Sequence, residues 1–217
     1  TMKKQFAVMG LGGFGESVAR ELMRLGHEVL GVDSDENKAN QLADHLTQTV
    51  IADATDESAL KEMDLHRFDA TLVAIGENIE ASILCTMHLK SLHAKEVWVK
   101  AITPTHHKIA EKLGADRIFH PEYEMGLRVA QTMAHPNMLD YIALGDNCFV
   151  IEVRPGEVLE DRPFSDLKID PEKVRLLAIK HGNSVTFQPT PDYRLRRNDH
   201  LVLLGEEKAL RHFTERL

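Results

Sequence analysis

From Gln5 to about His135, short apolar or β-branched runs alternate with longer segments whose apolar positions recur every three or four residues. The runs Gln5 to Met9, Glu28 to Val32, Thr49 to Ala52, Ala70 to Ile75, Glu96 to Ala101 and Arg117 to Phe119 are continuous rather than alternating. That predicts strands covered on both faces, as in a parallel sheet. Between them the helical period predicts helices over Phe14 to Leu25, Glu36 to Leu46, Asp56 to Leu65, Asn78 to Leu92, Pro104 to Leu113 and Glu122 to Ala134. Their punctuation agrees. Gly26 ends the first, Thr55 ahead of Asp56 and Glu57 predicts an N-cap, and Thr103-Pro104 predicts a cap followed by proline at the first helical position.

The pattern breaks at His135-Pro136-Asn137. Beyond it lie shorter runs, Asn147 to Val153, Arg175 to Lys180, Val185 to Gln188 and His200 to Leu204, separated by Pro/Gly/Asn turn signals and closed by a helix from Glu206 to Arg216. The chain therefore reads as α/β. A Rossmann-like, doubly wound parallel sheet is expected over residues 1–137, and a smaller C-terminal α+β domain over 138–217.

The first strand runs into "GLGGFG", where Gly10, Gly12 and Gly15 have the G-x-G-x-x-G spacing. In this context Gly10 permits the tight turn, Gly12 lets a pyrophosphate approach the backbone, and Gly15 lets helix and strand pack closely. The helix opening at Gly13 and Phe14 aims its free N–H groups at the anion. Asp33, 18 residues beyond Gly15 and followed by Ser34, ends the second strand, where a carboxylate accepts hydrogen bonds from ribose hydroxyls. Helix capping is the competing role for Asp33. Open α/β sheets bind ligands at the carboxyl ends of their strands. Asp53, Ala54 and Thr55 after the third, Ile75 and Gly76 after the fourth, Lys100 after the fifth and Glu122 after the sixth are thus further candidates. For Thr55, capping competes with ligand contact; for Lys100 and Glu122, a solvated surface charge does.

Composition narrows the chemistry. The 26 Lys and Arg against 34 Asp and Glu, without a dense basic cluster, argue against a surface that tracks nucleic-acid phosphates. With 43% hydrophobic and 28% charged residues the chain is that of an ordinary globular protein, and it opens on a polar Thr1-Met2-Lys3-Lys4-Gln5, unlike a secretory leader. Cys85 and Cys148 sit in apolar contexts and read as buried small hydrophobes of a reducing, cytoplasmic protein. The 12 histidines form no H-E-x-x-H pattern and read as surface or capping residues; no G-x-x-x-x-G-K-[ST] loop is present. A nucleotide fingerprint without an assignable hydride-transfer constellation points to binding without turnover. An NAD-dependent oxidoreductase with a reduced substrate domain is the alternative.

"KQFAVMGLGGFGESVARELMRLGHEVLGVDSDE", "ADATDE", "VAIGENIEASIL", "VWVKA" and "HHKIAEKLGADRIFHPEYEMG" together resemble the RCK, or KTN, subunits of bacterial Ktr and Trk potassium uptake systems, nearest the KtrA type. The resemblance covers nearly the whole chain. It implies a non-enzymatic, cytoplasmic ring, commonly an octamer built from dimers of the nucleotide domain. This ring is peripheral to the membrane through a potassium-translocating partner that it gates. ATP or ADP, and in some members NAD or NADH, occupies the cleft. The resemblance puts Gly10, Gly12 and Gly15 at the phosphates, Asp33 at the ribose, and Asp53, Ala54, Thr55 and Ile75 at the adenosine. It makes Lys100 a nucleotide-site residue and brings Glu122 to the terminal phosphates and a divalent cation, magnesium or calcium. Cyclic di-AMP binds the C-terminal domain of some relatives, but no residue here is matched to that pocket. Gly13 departs from the family, which carries arginine there. An arginine–phosphate contact is worth on the order of 1.5 to 3 kcal/mol, so the expected preference for ATP over ADP falls by about tenfold or more.

Overall fold

A computed structural model describes residues 2–215. Successive side chains of the first strand, β1 (Gln5–Met9), go to opposite faces of its sheet. Ala7 and Met9 pack with Leu60, Cys85 and Leu89, while Val8 packs with Leu11, Ala19 and Leu42. Both faces are therefore apolar, which is why the run is continuous. The elements that follow are α1 (Gly13–Arg24), β2 (Glu28–Asp33), α2 (Glu36–Leu42), β3 (Gln48–Ile51), α3 (Glu57–Glu62), β4 (Ala70–Val73), α4 (Ile79–Ser91), β5 (Val97–Lys100), α5 (Pro104–Lys112), β6 (Arg117–Phe119) and α6 (Pro121–Ala134). All six strands pair in parallel in the order β3-β2-β1-β4-β5-β6. This is the doubly wound order, and it reverses between β1 and β4.

The last part of the chain forms β7 (Met138–Gly145), β8 (Cys148–Val153), β9 (Val174–His181), β10 (Ser184–Thr186), β11 (Asp199–Glu206) and α7 (Glu207–Thr214). These strands make an antiparallel sheet ordered β10-β9-β11-β8-β7. Its inner face, with Ile151, Val153, Ile179, Leu201 and Leu203, packs with Leu210 and Phe213 of α7. One buried carboxylate locks the segment leading into β11. Asp199 accepts hydrogen bonds from the Tyr193 hydroxyl at 3.0 Å and the Arg196 N–H at 2.8 Å, and its other oxygen lies 2.7 Å from His181 Nδ1.

Three features differ from the sequence reading, while Arg216 of the expected terminal helix lies outside the described residues. β7 is a strand where no element was expected, and α3 is capped by Asp56, which accepts from Ser58 N, rather than by Thr55. His106 is fully buried rather than a surface or capping residue: Nδ1 accepts the Ile102 N–H and Nε2 lies 3.1 Å from the Ser82 hydroxyl. The chain divides into compact units at Thr1–Glu122 and Tyr123–Leu217. The second unit takes in most of α6, because the Arg128 guanidinium clasps both Asp140 oxygens of β7 at 2.5 and 2.6 Å.

Candidate functional site

A cavity of about 590 Å³ opens at the carboxyl ends of the first unit's strands, where the strand order reverses. Its floor is the turn from β1 into α1. Gly10 has φ +97°, and a Cβ there would press within 3.1 Å of the Ala74 carbonyl and Ile75 N, so the turn closes against the end of β4 only with glycine. Gly12, Gly13 and Phe14 continue the floor. Gly15 does not line the cavity. A Cβ there would drive into the Gly10 carbonyl oxygen and come within 3.2 Å of the Ala74 Cβ, so Gly15 serves the close packing of α1 against the turn.

The helix starts around the sheet contrast with one another. Asp35, Asp56, Asn78 and Thr103 accept backbone N–H groups at the starts of α2, α3, α4 and α5. At α1 the cap is Gly12, and no side chain satisfies the first N–H groups. That uncapped end borders the cavity and suits an anion.

Around the rim the candidates converge. Asp33 ends β2 and is not a helix cap: Oδ2 accepts the Leu11 N–H at 2.7 Å and Oδ1 the Asp35 N–H at 2.8 Å. These bonds pin the glycine turn to β2 and leave further lone pairs on each oxygen. Ser34 and Lys38 stand beside it in the lining. Asp53 Oδ1 accepts both the Thr55 N–H at 2.8 Å and the Thr55 hydroxyl at 2.7 Å, which hold its carboxyl below the usual range; Ala54 lies between them. Ile75 and Gly76 form the wall above β4. A Cβ on Gly76 would meet Lys100 Nζ at 2.9 Å, so this glycine makes room for the lysine.

Lys100 is 8% exposed, its Nζ 5.7 Å from the Phe14 ring centroid and ion-paired with Glu122. Partial burial alone would raise the Glu122 carboxyl, but the Lys100 ammonium and the residue's own backbone N–H outweigh it and hold the pKa below its ordinary value. Glu122 by itself does not make a hard-cation site. Such an ion takes six or more oxygens, and among the described residues no group of three or more His, Cys, Asp and Glu is placed to hold a metal. Lys38, Val32, Ala52, Ala74, Glu77, Asn78 and Ala81 also line the cavity and were not singled out from sequence. Lys38 is the informative omission: a lone lysine in a polar helix start looks like any solvated charge.

The reversed parallel sheet, the uncapped helix end and the carboxylate after β2 define a class, a protein with a Rossmann-type nucleotide cleft followed by a small antiparallel domain. The TrkA-N domain family matches residues 6–121 and the TrkA-C domain family residues 148–217, so the chain belongs to the TrkA-N/TrkA-C, or RCK, family of potassium-uptake proteins. It is 44% identical to Ktr system potassium uptake protein A of Bacillus subtilis, over 97% of this chain and 95% of that one, which bears out the KtrA-type resemblance. It is 40% identical to Ktr system potassium uptake protein C of the same organism, over 100% of this chain and 98% of that one. The solved RCK domain of GsuK shares the fold with a TM-score of 0.69 at 16% identity, covering 99% of this chain and 47% of that one. The NAD(P)-binding domain of an exopolyphosphatase-related protein from Archaeoglobus fulgidus gives 0.54 at 26% identity, covering 61% of this chain and 98% of that one. Among the described residues no helix is long and apolar enough to cross a membrane.

Proposed function

We propose that this chain is the cytoplasmic, non-catalytic regulatory subunit of a bacterial potassium uptake system, which binds an adenine nucleotide and gates a potassium-translocating membrane partner. One observation carries the reading: thirteen of the fourteen candidate residues line a single cavity at the switch point, beside the uncapped start of α1. The α1 N–H groups and Lys100 hold phosphates, Asp33 the ribose, and Asp53 to Thr55 with Ile75 the adenosine. ADP, ATP and NAD or NADH share the adenosine diphosphate that these residues address. Gly13 supplies no charge for a third phosphate. A divalent cation needs donors beyond Glu122, from the nucleotide or a second copy.

Assembly is supported by α6. None of its side chains is buried, and Tyr123, Met125, Leu127, Val129 and Met133 stand exposed on it. An apolar helix surface of this kind is a fit for a second copy of the chain, as in a ring. A nucleotide shifts such a ring only through its differential affinity for two shapes.

Native mass spectrometry of the purified protein reads bound nucleotide and oligomer together. Calorimetry with ADP, ATP and NADH, followed by potassium flux through the partner in vesicles, then tests regulation. The proposal expects flux to differ between nucleotides; equal flux with every nucleotide and with none overturns it. Turnover of a carbonyl or alcohol with NADH would establish the oxidoreductase instead.

A further inference from the structure

Lys38 is half-buried, lines the cavity, and makes no side-chain hydrogen bond or ion pair among the described residues. The other charged side chains of the lining are paired, Lys100 with Glu122, Asp33 with two backbone N–H groups and Asp53 with Thr55, except Glu77, which is exposed where Lys38 is half-buried. The backbone at Lys38 is fixed, since the Asp35 carboxylate caps α2 by accepting the N–H groups of Asn37 and Lys38. A half-buried lysine on a fixed backbone at a cavity wall, with no counter-ion of its own, has an ammonium free to donate to a ligand.

Asp33 and Ser34, at the end of β2, line the same cavity, and α2, which carries Lys38, follows them directly in the chain. A ribose hydroxyl is one donor and two acceptor lone pairs. A carboxylate takes only the donor half, because an ionised Asp has no proton to give. Resting on the nucleotide reading above, we infer that Lys38 supplies the other half: Asp33 accepts the ribose 2′-hydroxyl proton, and Lys38 donates to that hydroxyl's oxygen. The pair makes this cleft selective for ribonucleotides over 2′-deoxyribonucleotides. Lys38 is thus a ligand-binding residue rather than a surface charge.

The inference separates from simple charge attraction by a cycle in which protein and ligand are both varied. Calorimetry measures ADP and 2′-deoxy-ADP on the full chain and on K38M and K38R. The expected result is that wild type prefers ADP by about tenfold or more, the scale of a charge-assisted hydrogen bond. K38M loses the lysine's share of that preference, binding ADP more weakly but 2′-deoxy-ADP almost unchanged while Asp33 keeps its own contact, and K38R, which keeps a donor, restores part of the loss. If K38M weakens both ligands by the same factor, Lys38 acts on the phosphates at a distance and the inference is overturned. Unchanged binding of both overturns it too. Failure of wild type to bind either nucleotide overturns the nucleotide reading itself, a result distinguishable from these two.

Discussion

Gly15→Ala and Gly13→Ala add the same methyl group two residues apart in the first turn of α1, into opposite surroundings. At Gly13 nothing lies within 4 Å of the new Cβ. There the substitution removes a flexible residue from a helix and gains up to about 1 kcal/mol. At Gly15 the new Cβ sits 3.0 Å from the Gly10 carbonyl carbon, inside contact distance of its oxygen, and 3.2 Å from Ala74 Cβ. Overpacking costs about 1 to 3 kcal/mol where side chains can yield. Here the obstacle is backbone, held from the other side by the Gly10 N–H donated to Val32 O at 2.8 Å, so about 3 kcal/mol or more is expected. At roughly 4 °C per kcal/mol for a unit of this size, G15A melts about 12 °C below wild type, and G13A melts at or slightly above it. Trp98 is the protein's single tryptophan and lies in the first unit, so its fluorescence follows that unit alone through a thermal or urea transition. Equal transition midpoints for G15A and G13A would refute the packing role assigned to Gly15.

Three other perturbations have defined outcomes. In K100M the Glu122 carboxyl loses the ammonium that depresses it, so a carboxyl NMR titration finds its pKa higher than in wild type. A depressed carboxylate stabilises the fold above its unfolded pKa and loses that contribution as pH falls through the folded pKa, so the extra acid sensitivity belongs to wild type and not to K100M; an unmoved Glu122 contradicts the pairing. D199A removes a buried acceptor from Tyr193 and Arg196 and the partner of His181, and should cost about 3 kcal/mol in urea titration of the second unit, whereas a cost below about 1 kcal/mol would place the lock elsewhere. Burial, aided by the Asp53 charge, pushes the Cys85 thiol up to about 12, so a thiolate-directed reagent at pH 8 labels Cys148 alone in the folded protein, and both cysteines only after unfolding.

Much of this architecture was legible because the first unit's strands are apolar on both sides. β1 and β6 begin and end at the predicted residues, and the other four strands agree to within two residues at either end. β7 was not legible. Its residues face different environments, with Met138 and Tyr141 in the core but Ile142 and Leu144 exposed, so neither clean alternation nor a continuous buried run marks it. Thr55 looked like a cap because Thr, Asp and Glu succeed one another; Asp56, one residue on, has the extended backbone that capping requires, and Thr55 turns back to Asp53. His106 is on α5, and only the packed fold shows that its neighbour is Ser82 of α4. The cleft was readable because glycine spacing and strand ends carry position. Lys38 was not, since its significance comes from being half-buried in the cavity lining without a partner, which only the fold shows.

The cavity wall brings together Asp33, Asp53, Glu77 and Glu122 but only two ammonium groups, Lys38 and Lys100, in a chain of net charge −8. Under the proposed function, a nucleotide polyphosphate approaching from solvent therefore meets a net negative charge before it reaches the donors assigned to it. Salt screens that long-range repulsion over a Debye length of about 10 Å at 0.1 M while reaching less into the enclosed contacts. On the proposed nucleotide reading, capture should accordingly speed up, not slow down, as ionic strength rises, making salt an accelerator of loading rather than a competitor.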